Sequence, residues 1–391
     1  MTRLTDPRNV VVTGLGLVSC AGEGVAAHLA AFRSGEAPRT DAETFAPYPV
    51  HPAAPLVLDG QIPKKSDQRQ MEPWQRLGVY AAGLALDAAG AKADAGLKAA
   101  MHLVVAAGGG ERDYAVDGQI LTGLRGAADP GAYLNERLQN DLRPTLFLAQ
   151  LSNLLAGNIA IVHGVTGASR TFMGEESSGV DALRIAQARI AAGQLDVVLV
   201  GGSYNAERAD VLLIHEMGGY LSKPDYRPVF ARGDAPGFVL GSGGAFLVLE
   251  SEEHARNRGA RALARLDAVA SDRTKRVPGS VAKSLAGLWS TAGLRAPDAV
   301  ISGATGCAGI TEEERDALND LAPGAPVRAL GDLTGHTLEV AAPFGAALAT
   351  ALVAAGEARE VAVTAVGHRR GEGVLRITAA GEAAGTARET S

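Results

Sequence analysis

Cysteine is almost missing from this chain: Cys20 and Cys307 are the two among 391 residues. That is too few for a disulfide framework, and the pair is too isolated for a zinc site, so no metal is expected. Aromatic residues are also scarce, at 4% with two tryptophans, which leaves the packing to Ala, Val, Leu and Gly. Neither charge sign dominates. Lys plus Arg number 37 against 43 Asp plus Glu, for a net charge of −6. There is no basic surface for nucleic acid and no polybasic segment to recruit an anionic membrane. No apolar run approaches the ~20 residues of a membrane span, and no secretory signal precedes Val10. A cytoplasmic protein is expected.

What is present is apolar, glycine-rich and alternating. Apolar residues make up 47% and charged residues 20%, ordinary for a globular chain with a large core. The length suits two domains or one α/β unit with internal duplication. Val10–Gly16 reads as a buried strand ending in glycine turns, and Met71–Gly90 as a helix stopped by Gly90. Strand readings follow at Leu103–Ala107, Asp196–Val200 and Gly244–Glu250, with helical character at Leu148–Val162 and Val180–Ala192. After Arg258 the alternation restarts: Ala262–Val269, Ala299–Ser302, a helix from Glu312, the segment Pro326–Leu330, a helix from Glu339, then Val361–Val366 and Gly373–Ile377. Such alternation implies a mostly parallel sheet with both faces covered. The small polar residues from about 379 read as a frayed tail.

Two apparent motifs carry little. Gly14-Leu15-Gly16 has no correctly placed third glycine for a dinucleotide fold, and Gly108-Gly109-Gly110 lacks the Lys-Ser/Thr of a phosphate loop. The informative segment is the turn Met173-Gly174-Glu175-Glu176-Ser177-Ser178-Gly179, set between an apolar run and an amphipathic helix. Acidic residues are favoured in the first turn of any helix. Glu176 there needs no function on local grounds alone.

Several segments taken in order resemble the β-ketoacyl-acyl-carrier-protein synthases: Val10–Gly24 (VVVTGLGLVSCAGEG), Met71–Gly90, Leu151–Gly202, Gly237–Glu250 (GFVLGSGGAFLVLE) and Leu333–Ala347 (LTGHTLEVAAPFGAA). The resemblance covers almost the whole chain. It implies a thiolase-type α/β fold of two similar βαβαβαββ halves in five α-β-α-β-α layers, with residues 1–250 forming the first half and 251–391 the second.

The family's catalytic positions are altered one after another. Its nucleophilic cysteine sits in an Ala-Cys-Ser/Ala-Ser/Thr-Gly string that matches Glu175–Gly179, so Glu176 takes the cysteine's place. Its first histidine string matches Gly303-Ala304-Thr305-Gly306-Cys307, so Gly303 replaces that histidine. The string holding its lysine and second histidine matches Gly331–His336: the lysine becomes Gly331 and His336 is kept. Its Gly-Phe-Gly-Gly-Thr-Asn gate loop is matched by Val366–Glu372, which carries His368 and the pair Arg369-Arg370. Without a thiolate no acyl-enzyme forms, and loss of a donor to the developing oxyanion costs on the order of 10²–10³ in rate.

The resemblance therefore implies a non-condensing chain length factor of a type II polyketide system, paired as a heterodimer with a competent ketosynthase. In that reading the growing chain enters an interface tunnel whose narrowing positions match Gly110, Asp113 and Asp117. No cofactor is expected, since phosphopantetheine arrives on the acyl carrier protein. The product could be aromatic or polyene. Two alternatives stay open: a malonyl-carrier-protein decarboxylase of ketosynthase type, and an inert homodimeric scaffold. For Glu176 the sharper expectation is a buried carboxylate bonded to backbone amides or an arginine. His336 reads as a structural histidine whose partners are gone, and His368-Arg369-Arg370 as a solvated loop.

Overall fold

The computed structural model describes residues 7–141, 148, 150–223 and 226–381. Among the described residues one continuous sheet carries ten strands along its path: β1 (Val10–Ser19), β2 (His102–Ala107), β3 (Ser169–Met173), β4 (Val197–Tyr204), β5 (Gly243–Ser251), β6 (Ala264–Asp272), β7 (Ala299–Ser302), β8 (Val327–Ala329), β9 (Glu360–Val366) and β10 (Glu372–Thr378), with the two-residue strand Gly22–Glu23 pairing β1 beside it. Across it they run β8-β7-β9-β10-β6-β1-β5-β4-β2-β3. The first five strands and the last five share one arrangement, third-second-fourth-fifth-first. In both sets the second strand runs parallel to the third and fourth, and the fourth-fifth and fifth-first pairs are antiparallel. The two sets meet where β1 pairs with β6 through Val11–Arg265 and Val12–Ala264. The fold is thus a duplicated α/β unit.

Helices supply the other layers. α1 (Pro73–Ala88) and α2 (Leu154–His163) cover the outer face of the first half, and α5 (Ser280–Thr291) with α6 (Ile310–Leu321) that of the second. Between the halves lie α3 (Glu176–Ala191) and α7 (Ala341–Ala354), in a cluster shared by inward side chains of both sheets. α7 is Ala-rich and buried along all but its last residue, as a helix enclosed on every side must be. α4 (Ala209–Met217) sits near the cleft described below.

The discounted Gly14-Leu15-Gly16 has a packing explanation. A Cβ on Gly14 would lie 2.3 Å from Ala85 O, and one on Gly16 would lie 1.9 Å from Ala81 O. These glycines let α1 lie directly on β1, the close approach that only glycine permits. Where the strand and helix readings differ from the structure, the cause is local. β3 was hidden because its Ser-Arg-Thr sequence is polar and its side chains face outward at a sheet edge. Helices Tyr114–Gly126, Pro130–Asn140 and α4 have mixed sequences without a clean apolar stripe, whereas α5 buries Val281, Leu285, Leu288 and Trp289 at helical spacing, a signal the sequence reading passed over. The helical reading from Leu148 begins partly outside the described residues, and the tail reading falls mostly on 382–391, also outside them.

Candidate functional site

The buried centre is built at the N-terminus of α3. Gly174 follows β3 with φ +152°, a conformation that favours glycine, and it turns the chain so that Glu176 is the first helical residue. The helix start is seated closely: a Cβ on Gly179 would lie 2.3 Å from Glu339 O. Glu176 is 1% exposed. His336 is fixed by its own N–H, which donates to Val239 O at 2.8 Å. Its Nε2 meets Glu176 Oε1 at 2.8 Å. His368, just past β9, approaches the same oxygen with Nδ1 at 2.8 Å and with its backbone N–H at 3.3 Å. Arg276 holds that loop by donating to Gly367 O at 2.5 Å and pairing with Glu372.

The protonation pattern follows from the geometry. An ionised carboxylate only accepts hydrogen bonds, so the ring protons sit on Nε2 of His336 and Nδ1 of His368. Burial alone would push the Glu176 carboxyl up. The hydrogen bonds and charge of the two histidines outweigh it and hold the group well below the usual carboxylate range. Burial alone would push His368 down, but its bond to Glu176 and the charges of Glu176 and Glu175 raise it above the ordinary imidazole value. Phe238 packs 4.8 Å from the His336 ring and 5.5 Å from the His368 ring, and Tyr220 lies 4.6 Å from His368. His215, 5.7 Å from His368, is pushed down to about 4 by burial and by the two other histidines.

These contacts correct two expectations. His368 is not in a solvated loop; it is 5% exposed, while Arg369 and Arg370 beside it are exposed. His336 is not without partners, because the Glu176 carboxylate is its partner. The bonds to Glu176 come from two imidazoles and one backbone amide, not from an arginine. The signal for His368 lay in its match to the aromatic of the gate loop: a ring was kept, with polarity added.

The other positions are placed as follows. Gly303 follows β7 directly, and a Cβ there would lie 2.6 Å from Thr364 O, so this backbone accepts no side chain. A Cβ on Gly331 would meet Val229 Cγ2 at 2.9 Å. Burial raises the thiols of Cys20 to about 11 and Cys307 to about 12, the opposite of what a nucleophile needs. Gly110 lines a cleft of about 970 Å³ together with Tyr204, Arg208 and Glu339. Asp113 and Asp117 do not line it. Asp113 caps helix Tyr114–Gly126, accepting from Val116 N at 3.1 Å, and Asp117 pairs with Arg112 at 2.8 Å.

Glu339 was not anticipated as a site residue, although a lone carboxylate inside the apolar string LEVAAPFGAA was the available signal. It is 4% exposed, and burial drives its carboxyl up to about 8. Its Oε2 and the nearby Tyr204 hydroxyl have no hydrogen-bond partner among the described residues. At neutral pH this wall therefore carries a protonated acid and a phenol.

A model of the beta-ketoacyl synthase N-terminal domain matches residues 7–255. The chain belongs to the beta-ketoacyl synthase family. It is 28% identical over 276 residues to a 3-oxoacyl-[acyl-carrier-protein] synthase 2 of Rhizobium meliloti, covering 65% of this chain and 62% of that one. It is 29% identical over 272 residues to the tetracenomycin polyketide synthase ketoacyl synthase beta subunit of Streptomyces glaucescens, covering 66% of this chain and 62% of the relative. The chain thus spans about three-fifths of the length of these curated relatives. Among solved structures, the ishigamide ketosynthase/chain length factor superposes with a TM-score of 0.80 at 22% identity, over 96% of this chain and 100% of that one. This likeness is one of fold. No helix among the described residues is long and apolar enough to cross a membrane.

Proposed function

We propose that this protein is a chain length factor: a non-condensing subunit that pairs with a catalytic ketosynthase in a type II polyketide system and shapes the tunnel for the growing chain. The observation that carries the reading is the bonding around Glu176. The residue at the nucleophile's place is a carboxylate, and the two imidazoles that touch it, His336 and His368, each spend a ring N–H on its Oε1. Neither N–H is then free to stabilise a thioester oxyanion, and the carboxylate at this place cannot form the thioester. The same point weighs against a decarboxylase, which would also need free donors at the thioester carbonyl.

The scaffold that remains suits a partner. β3 is a sheet edge with exposed side chains, and the rim of the cleft carries the apolar Met173 (70% exposed) and Ile214 (57% exposed). An unpaired edge beside exposed apolar residues is a ready surface for another chain. The relative named a ketoacyl synthase beta subunit, and the fold neighbour named a ketosynthase/chain length factor, support the same reading.

Co-expression with a genuine ketosynthase tests it. A stable 1:1 complex, with polyketide formed only when both chains and a carrier protein are present, is the expected result. Carbon dioxide release from malonyl carrier protein by the isolated chain would instead identify a decarboxylase. A self-associating chain that never captures a ketosynthase would leave a scaffold.

A further inference from the structure

The buried Glu176, His336 and His368, whose mutual bonding carries the proposed function, are also a donor set for a metal ion. Their ligand atoms lie within 4.8 Å of one another and all three residues are buried. Two imidazoles and one carboxylate are a donor set used by zinc and by non-haem iron. We infer that this cluster is a binding site for a divalent transition metal, zinc foremost, held by Glu176, His336 Nε2 and His368 Nδ1.

Three observations carry the inference. The donors are fixed before any ion arrives: Glu176 by the helix start, His336 by its backbone bond to Val239, and His368 by its own amide on Glu176. Glu176 Oε2 is buried with no hydrogen-bond partner among the described residues, so the metal-free cluster leaves a carboxylate oxygen unsatisfied at a cost that a bound cation would relieve. Finally, a partner for the far side of a ligated histidine is in place. Glu175 Oε1 stands 3.5 Å from His368 Nε2, as in the carboxylate–histidine–metal arrangements that orient ligating imidazoles.

The proton balance is simple. Zinc takes the lone pairs on His336 Nε2 and His368 Nδ1 that now carry hydrogens. The His336 proton moves to its other ring nitrogen. A neutral His368 shifts its proton to Nε2, facing Glu175, and an imidazolium releases one proton to solvent. The Glu176–imidazole separations of 2.8 Å widen by about half an ångström to accept bonds of about 2.0–2.1 Å. Two cations stand nearby: Arg276 is engaged by Glu372 and Gly367 O, and Arg369 lies 3.8 Å from Glu175 Oε1. Glu175 and His215 line the cleft and adjoin His368, which gives an ion its way in.

The test is titration of the chelator-treated full chain with zinc chloride, followed by calorimetry and by metal analysis after dialysis. One equivalent per chain at micromolar affinity or better, with a raised unfolding temperature, is expected. Glu176→Gln and His368→Phe should weaken binding at least about 100-fold, and Glu175→Gln about 10-fold, with circular dichroism confirming that each remains folded. Should a variant unfold, the wild type decides by itself: zinc must shift the imidazole nitrogen resonances of His336 and His368. No retained zinc, retention unchanged in Glu176→Gln, or unshifted His336 and His368 signals would each overturn the site.

Discussion

At the scale of single residues, the decisive fact is that Glu176 and its two histidines share charge in a dry place. In Glu176→Gln the carboxylate that raises His368 is gone, while its burial remains. The His368 imidazole, followed by NMR titration, is expected to fall from above to below its ordinary value of about 6.5; an unmoved titration would contradict the assigned contact. The pH dependence of stability has a definite sign. Glu176 is depressed, so its contribution is present above the ordinary carboxylate value and is lost as pH falls. His368 is raised, so its contribution is full below about pH 6.5 and is lost as pH climbs through the higher folded value. Glu339 works in the same direction as His368. Its folded value of about 8 against 4.5 means the unfolded chain binds fewer protons between those pH values, and stability falls across that window. Glu339→Gln should flatten that decline and stabilise the protein at pH 8–9 by on the order of 3 kcal/mol, taking about 1.4 kcal/mol per pKa unit and allowing for relaxation. Denaturant unfolding at pH 5 and pH 8.5 measures it.

At the scale of elements, the contact between β1 and α1 rests on glycine. Gly16→Ala would set a methyl against Ala81 O, where a Cβ has 1.9 Å, and either the helix or the strand must move. Overpacking of this kind costs about 1–3 kcal/mol or more. Chemical denaturation of Gly16→Ala should show a loss in that range, whereas Gly109→Ala, whose Cβ meets nothing within 4 Å, should change little. Strand and helix readings fared best where the sequence is apolar throughout, as in β2, β4 and β9. They failed at β3 and α4, whose partly exposed faces carry no strict period.

At the scale of the whole molecule, the duplicated sheet places α3 and α7 between its halves and leaves β3 and the cleft rim open. If that rim receives a ketosynthase, Met173→Lys should weaken the complex at least about 10-fold in size-exclusion or calorimetric binding. It should move the chain's own unfolding free energy by no more than about 0.5 kcal/mol, because Met173 is an exposed surface residue. A large loss of intrinsic stability with unchanged pairing would place the partner elsewhere.

The sequence by itself determined the ordered family motifs, the α/β alternation and a carboxylate at a helix start. Each is written in local patterns: alternating apolar runs, glycines where elements touch, and a carboxylate at a helix start. The tertiary structure alone decided what surrounds that carboxylate. His336 and His368 lie 160 and 192 residues from Glu176, and no local period links them. Only the folding of two loops onto the N-terminus of one helix brings them to a single oxygen, so the carboxylate at that helix start became visible as a paired charge.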